Sequence, residues 1–236
     1  MKRFIAFALI LVLALSVVSC NTTGGGTTDT NTDVGETSAK ILAMYSRKSP
    51  TKSVTVATYQ FLDVTLQDTT TLVSGKIDGT KDAAKLTQVT QRLRSVADGS
   101  NAIILGPIQE TTTVKEYWEG RGVRTQINGG GFGSWDSSAS NFAPSEGSIT
   151  LNISDSQISD VKEEGKQISF KVAAANTETV LGKKIASDVV VTIQHDGACV
   201  VGIALTYTEA ATANSPKIDV NIKVEYSYDI ENITIG

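Results

Sequence analysis

The chain has 236 residues, of which 40% are hydrophobic and 19% charged, with 20 Gly, 4 Pro, 2 Cys and a single His. A formal charge of -4, with no basic cluster, excludes a phosphate-binding face for nucleic acid and a polybasic dock on anionic lipid. Two cysteines cannot make a disulfide framework, and one histidine with one spare cysteine cannot supply the three or four ligands of a zinc site.

Lys2 and Arg3 precede an apolar stretch from Phe4 to Val18, interrupted by Ser16, of the length that an export signal uses. As a helix this stretch falls short of the ~30 Å hydrocarbon core, which argues against a permanent transmembrane span. Val17-Val18-Ser19-Cys20 resembles the bacterial lipobox, with Val in place of the commoner Leu. The resemblance implies cleavage before Cys20 and lipid attachment on it, so residues 1–19 are expected as signal and the remainder as a lipid-anchored, extracytoplasmic chain of the bacterial cell envelope. Acyl chains on one residue give stable anchoring, at about 0.8 kcal/mol per buried methylene.

Residues 20–35 are rich in Gly, Thr and Asn and lack hydrophobic periodicity, which reads as a flexible tether. Asp29, Asn31 and Asp33 have the opening spacing of a calcium loop, but Val34 stands where Gly is needed and Lys40 where a bidentate Glu is needed. From Glu36 to Arg47 the pattern is an amphipathic helix with Ile41, Leu42, Met44 and Tyr45, Thr37 or Ser38 as N-cap, and Pro50 beyond its end.

Strands are expected at 53–66, 69–77, 85–96, 107–118, 122–128, 148–154 and 166–173, and a short second helix at 176–186. Leu86, Val89, Leu93 and Val96 would also fit one face of a helix. Residues 128–148 form a long Gly-rich loop carrying Phe132, Trp135 and Phe142. Asp188 to Tyr207 is expected as a hairpin closed by the two-residue turn Asp196-Gly197. That register puts Val189, Val191, Ile193 and Val200 on one face and Val190, Cys199, Val201, Ile203, Leu205 and Tyr207 on the other, so both faces are apolar and the hairpin is covered twice or lines a cavity. Strict alternation over 217–230 predicts a fourteen-residue strand with one wet face, long enough to twist and curl.

Several of these features resemble the LolA/LppX-like group of bacterial envelope lipoproteins and carriers, and within it the uncharacterised families of small surface lipoproteins. They are the lipobox, the tether, the helix with Ile41 and Leu42, the Lys52-Ser53-Val54-Thr55-Val56 opening, Tyr117-Trp118 before Glu119-Gly120, the Gly-rich segment with Trp135, His195-Asp196-Gly197, and the close from Tyr226-Ser227-Tyr228-Asp229-Ile230 to Ile233. The resemblance implies a strongly curved half-barrel sheet with helices across its mouth and a hydrophobic cavity that takes a lipid or acyl chain. It supplies no catalytic residue.

Catalytic chemistry is sparse. His195 flanks a turn and reads as a surface residue, and the expected register puts it and Cys199 on opposite faces; Cys199 itself reads as a small buried strand residue. Gly129-Gly130-Gly131-Phe132-Gly133 lacks the Lys-Ser or Lys-Thr of a phosphate loop. No spacing among the acidic residues selects a glycosidase pair. The expectation is a single domain over 36–236 of β-rich α+β class, a long, strongly curved antiparallel sheet with one or two covering helices, non-enzymatic, without cofactor or metal. It would bind a hydrophobic ligand through Val191, Ile193, Val201, Ile203, Leu205 and Tyr207, with Phe132 and Trp135 as lid. The alternative is an envelope interaction or structural module with a filled core.

Overall fold

Alternating apolar and polar residues build this molecule out of long strands, as a computed structural model of the chain shows. It describes residues 34–97, 103–139, 149–212, 215–229 and 231–235. The signal stretch, Cys20, the calcium-like spacing, Phe142 and Ile230 lie outside the described residues. In chain order the elements are helix α1 (Val34–Ser46) and strands β1 (Lys52–Phe61), β2 (Val64–Ile77), β3 (Lys81–Ala97), β4 (Ile103–Trp118) and β5 (Gly122–Ile127). There follow β6 (Ile158–Glu164), β7 (Gln167–Val172), helix α2 (Thr177–Leu181), β8 (Val189–His195), β9 (Val200–Glu209), β10 (Ile218–Ser227) and β11 (Glu231–Asn232). Ten strands form one antiparallel sheet in the order β5-β4-β3-β2-β1-β10-β9-β8-β7-β6. The short β11 lies parallel to the end of β2, at Gly75 and Lys76, just past the point where Lys52 of β1 pairs with Val73.

The fold class is therefore β-rich with few helices, as the composition implies. Lys81–Ala97 is a strand, not a helix: Ala84 and Leu86 are buried on one face, and Leu86 sits opposite Leu72 of β2. The period of two in β10 is real, with Val220, Val224 and Tyr226 buried and Asp219, Lys223 and Glu225 exposed, although the ladder stops at Ser227.

Several expectations need correction. Residues 53–66 are not one strand: the chain reverses at Leu62-Asp63, and Leu62 takes φ 50° and is exposed, a turn without the Gly or Asn that usually supplies positive φ. Residues 149–154 are extended and bury Ile149, Leu151 and Ile153, yet they join no ladder; the Asn152 amide donates to the carbonyl of Val180 in α2 instead. Strand β6 is an addition, its alternation broken by a bulge between Ser159 and Lys162 with Asp160 at φ 52°. Helix α2 is five residues long rather than eleven because Gly182 at φ 67° ends it in the left-handed cap, while Ile185 beyond the cap remains buried.

The main core lies on one face of the β6 to β10 half. Phe170, Ile168, Val191, Ile193 and Val220 of the sheet pack with Ile41 and Met44 of α1, Leu151 and Ile153 of the extended segment, and Val180 of α2. Helix α1 starts earlier than expected, so Thr37 and Ser38 are not N-caps: both are buried within it, and Ser38 Oγ donates to the Asp155 carboxylate. Lys40 forms an ion pair with Glu163 of β6, tying the helix across the strand at the sheet edge. A second, small cluster of Ala84 and Leu86, with Leu72, Tyr117 and Val123 against it, serves β2 to β5.

Candidate functional site

The hairpin proposed to line a cavity has a different register. Ile193 pairs with Ile203 and Val191 with Leu205, whereas a two-residue turn would set Ile193 against Val200. The Asp196 carboxylate accepts the amides of Ala198 and Cys199, both at 2.7 Å, and the Asp196 amide donates to the Cys199 carbonyl. The loop therefore spans four residues, and a bulge follows between Gln194 and His195. A slip by an odd number of residues turns every side chain of one strand over. Val189, Val191, Ile193, Ile203, Leu205 and Tyr207 consequently share one buried face, while Val190 on the other is 49% exposed.

Those side chains are core. Val191, Ile193, Ile203, Leu205 and Tyr207 are all buried within the cluster that includes Ile41, Phe170 and Leu151, and Val201 is only half-buried. Burial pushes the Tyr207 phenol up to about 12, with the nearby Glu209 carboxylate adding to it. His195 is not a surface residue: it is buried, and neither ring nitrogen has a hydrogen-bond partner. Cys199 is half-buried in the loop rather than buried in a strand.

Phe132 and Trp135 are brought together, but far along the sheet from the hairpin they were expected to cover. The segment after β5 folds back along the free edge of that strand: the Gly130 amide donates to Ile127, Gly133 to Thr125, and Asp136 exchanges both backbone bonds with Val123. Contact this close requires a glycine at 122. A Cβ on Gly122, which has φ 93°, would stand 1.8 Å from the Asp136 carbonyl oxygen. Arg124 of β5 lies under both rings, 4.2 Å from the Phe132 centroid and 4.6 Å from that of Trp135. Its guanidinium donates to Glu116 of β4 at 2.6 and 3.0 Å, and Lys85 of β3 pairs with the other carboxylate oxygen at 3.4 Å. Glu116 is 1% exposed, so this pair is roofed by aromatic rings and shielded from water. Trp118 meets Trp135 edge to face, with Arg121 stacked 4.0 Å over it. Tyr117, next in sequence, points to the opposite face, onto Ala84 and Leu86. The aromatic segment is thus an edge cover and a lock on an ion pair.

What the sequence did not signal is a cleft of about 300 Å³ where α1 leaves the sheet. Leu72, Ser53 and Tyr226 form one row across β2, β1 and β10 as its floor. Tyr45 from α1, the 46–51 segment and Tyr228 supply its walls. The Tyr45 hydroxyl donates to the Ile149 carbonyl, Ser46 Oγ to the Leu42 carbonyl at 2.7 Å, and Tyr228 to the Val200 carbonyl. Lys48 Nζ donates to the Tyr228 carbonyl at 2.8 Å and sits 5.7 Å over that ring. Burial pushes Tyr228 up to about 12 and raises Tyr45 and, much further, Tyr226. The Tyr226 hydroxyl lies beside that of Tyr45, a contact that adds to the rise of Tyr226 and offsets part of that of Tyr45. None of the eight side chains expected to bind ligand lines this cleft.

Among the described residues no group of three His, Cys, Asp or Glu is placed to hold a metal ion, and no helix is long and apolar enough to cross a membrane. The chain matches no protein-family model, no curated protein and no solved structure.

Proposed function

We propose that this chain is a lipid-anchored, extracytoplasmic interaction module of the bacterial envelope, non-enzymatic, with a filled interior. The observation that carries the reading is the packing between sheet and helices: the side chains that a lipid carrier would need around its guest are already in contact with one another and with α1. A carrier of the kind the LolA/LppX resemblance suggests would have to open that core, at the expense of contacts that stabilise the domain.

Support for an interaction role comes from the other half of the sheet. Strands β2, β3 and β4 run for 14, 17 and 16 residues, well beyond the usual strand. Thr69, Thr70 and Thr71 pair with Val89, Gln88 and Thr87, and Thr111, Thr112 and Thr113 continue the belt on β4. Most of these side chains are half-buried on either face, so the belt offers hydroxyls and amides on two sides. Strands of such length coil as well as twist, which supports a curved sheet as part of the same proposal. Attachment rests on Cys20 in its lipobox setting.

Two experiments test the reading on the full chain in cells. Cys20→Ala is expected to abolish incorporation of labelled fatty acid into the protein; labelling that persists in the variant would refute the anchor. A photo-crosslinking residue at position 112, on the Thr belt, is expected to capture a protein on intact cells, and one at position 205, in the core, to capture neither protein nor lipid. Lipid adducts at 205 would reinstate the carrier.

A further inference from the structure

We propose that the outer end of the hairpin made by β3 and β4 is an arm that contacts the bilayer surface, the same membrane that the Cys20 anchor occupies, so the inference rests on that anchor. The ladder between β3 and β4 continues past its neighbours. Strand β2 pairs with β3 only as far as Val89, with Gln91 still reaching back to Gln67 and Asp68, and β5 pairs with β4 only as far as Thr113. Farther out, Leu93 pairs with Ile108, Ser95 with Leu105, Val96 with Ile104 and Ala97 with Ile103, and no described strand joins either outer edge. A two-stranded ribbon is marginal in water on its own and needs something against its apolar residues.

The composition of the arm selects lipid. From Ser95 to Ala97 and from Ile103 to Ile108 there is no charged residue, and the Ile108 residue is 47% exposed. Behind this apolar end, Arg92, Arg94, Gln109 and Glu110 are all exposed and form a polar collar. Arginine suits such a collar, since its stem lies along apolar surface while its charged head stays in water. Pro107 stands at the bulge that shifts the register between Leu93 and Ser95. A proline and a bulge at a sheet edge both oppose the addition of a further strand, whether from another protein or from a second copy of this chain.

A second exposed apolar residue lies at the same end of the ladder. Leu62, in the turn between β1 and β2, is 71% exposed at φ 50°, a conformation rare for a bulky side chain. The chain also enters the domain at this ladder end. Ser38, near the start of α1, donates to Asp155 just before β6, and Ile158 at the start of β6 pairs with Val172 in the row that runs to Tyr59 and Leu66. Val34 follows Cys20 by 14 residues. A Gly-rich lead of that length has a root-mean-square reach of about 20 Å, whereas the strand length of β3 is about 56 Å. A domain on so short a lead rests against the bilayer.

The test uses the protein as made in cells, reconstituted in phosphatidylcholine vesicles, with a photo-crosslinking residue at position 104 on the arm, at 62 in the β1 to β2 turn, or at 80 beside the opposite end of β3. Lipid adducts are expected at 104 and 62, at least about tenfold above those at 80. Equal yields at 104 and 80, or a crosslinked dimer at 104 in place of lipid, would overturn the arm. So would capture of a protein instead of lipid at 104 on intact cells. Incorporation of labelled fatty acid at Cys20 scores the anchor separately. Labelled protein without lipid adducts at 104 defeats the arm alone, and lipid adducts at 104 on unlabelled protein defeat the anchor while upholding the arm.

Discussion

The two halves of this sheet are made of similar strands and held in different ways. From β6 to β10, one face carries Val, Ile, Leu and Phe under α1, α2 and the 149–153 segment, and the side chains there are buried almost completely. From β1 to β5, the three middle strands are longer, their faces are rich in Thr and Gln, and the buried apolar cluster reduces to Ala84 and Leu86 with three partly buried neighbours. Long-range order in the first half comes from apolar area removed from water. In the second it comes from ladder hydrogen bonds, β-branched stiffness and one buried ion pair under aromatic rings.

If that contrast is right, truncation should hurt the two halves unequally. Phe170→Ala is expected to cost about 3–5 kcal/mol, read as a lower denaturant midpoint, and Ile193→Ala about 2–5 kcal/mol. Val56→Ala, on the half-buried face of β1, should cost under about 1.5 kcal/mol in the same measurement. Glu116→Ala tests the lock on the second half. It removes the buried carboxylate that Arg124 and Lys85 share, and a loss of roughly 3 kcal/mol is expected, with faster proteolysis of the 128–139 segment. Unchanged cleavage there would mean that the ion pair does not hold the edge cover.

Alkali offers a way to attack the first half selectively. Tyr207 and Tyr228 have folded values raised to about 12, mainly by burial, and Tyr45 and Tyr226 are raised as well. A phenol raised in the folded state keeps its proton where the unfolded chain has lost it, so stability is full below about pH 10 and falls as pH rises toward 12. Circular dichroism with tyrosinate absorbance should show this loss, and Tyr207→Phe should flatten it. The smallest effect is expected at the Lys40 to Glu163 ion pair: both partners are partly exposed, and Lys40→Ala should cost under about 1 kcal/mol.

Much of the architecture was legible because strand periodicity survives without any partner being known. Val220, Val224 and Tyr226 announce their buried face, and the helix pattern around Ile41 and Met44 announces its own. Registers were less legible. Asp78-Gly79 does make a tight turn with both residues at positive φ, but Asp196-Gly197 opens into a four-residue loop because the Asp196 side chain captures two further amides. The bulge between Gln194 and His195 then makes the total slip odd, and missing it turned a single apolar face into two and suggested a cavity where there is core. The Leu62 turn was hidden because nothing in Phe61-Leu62-Asp63-Val64 favours reversal; β1 and β2 impose it by pairing. The cleft was invisible since its residues come from α1, the 46–51 segment, β1, β2 and β10, and no local pattern connects Tyr45, Leu72 and Tyr226.

Native-state amide hydrogen exchange, followed residue by residue on the anchored protein, is the most direct test of the contrast between the halves. Amides of β7, β8 and β9 are expected to exchange only through global unfolding, and those of β3 and β4 along the Thr belt through smaller openings at least about tenfold more often. Equal protection across all ten antiparallel strands would contradict the account, and would mean that the Thr-rich half is covered as completely as the core.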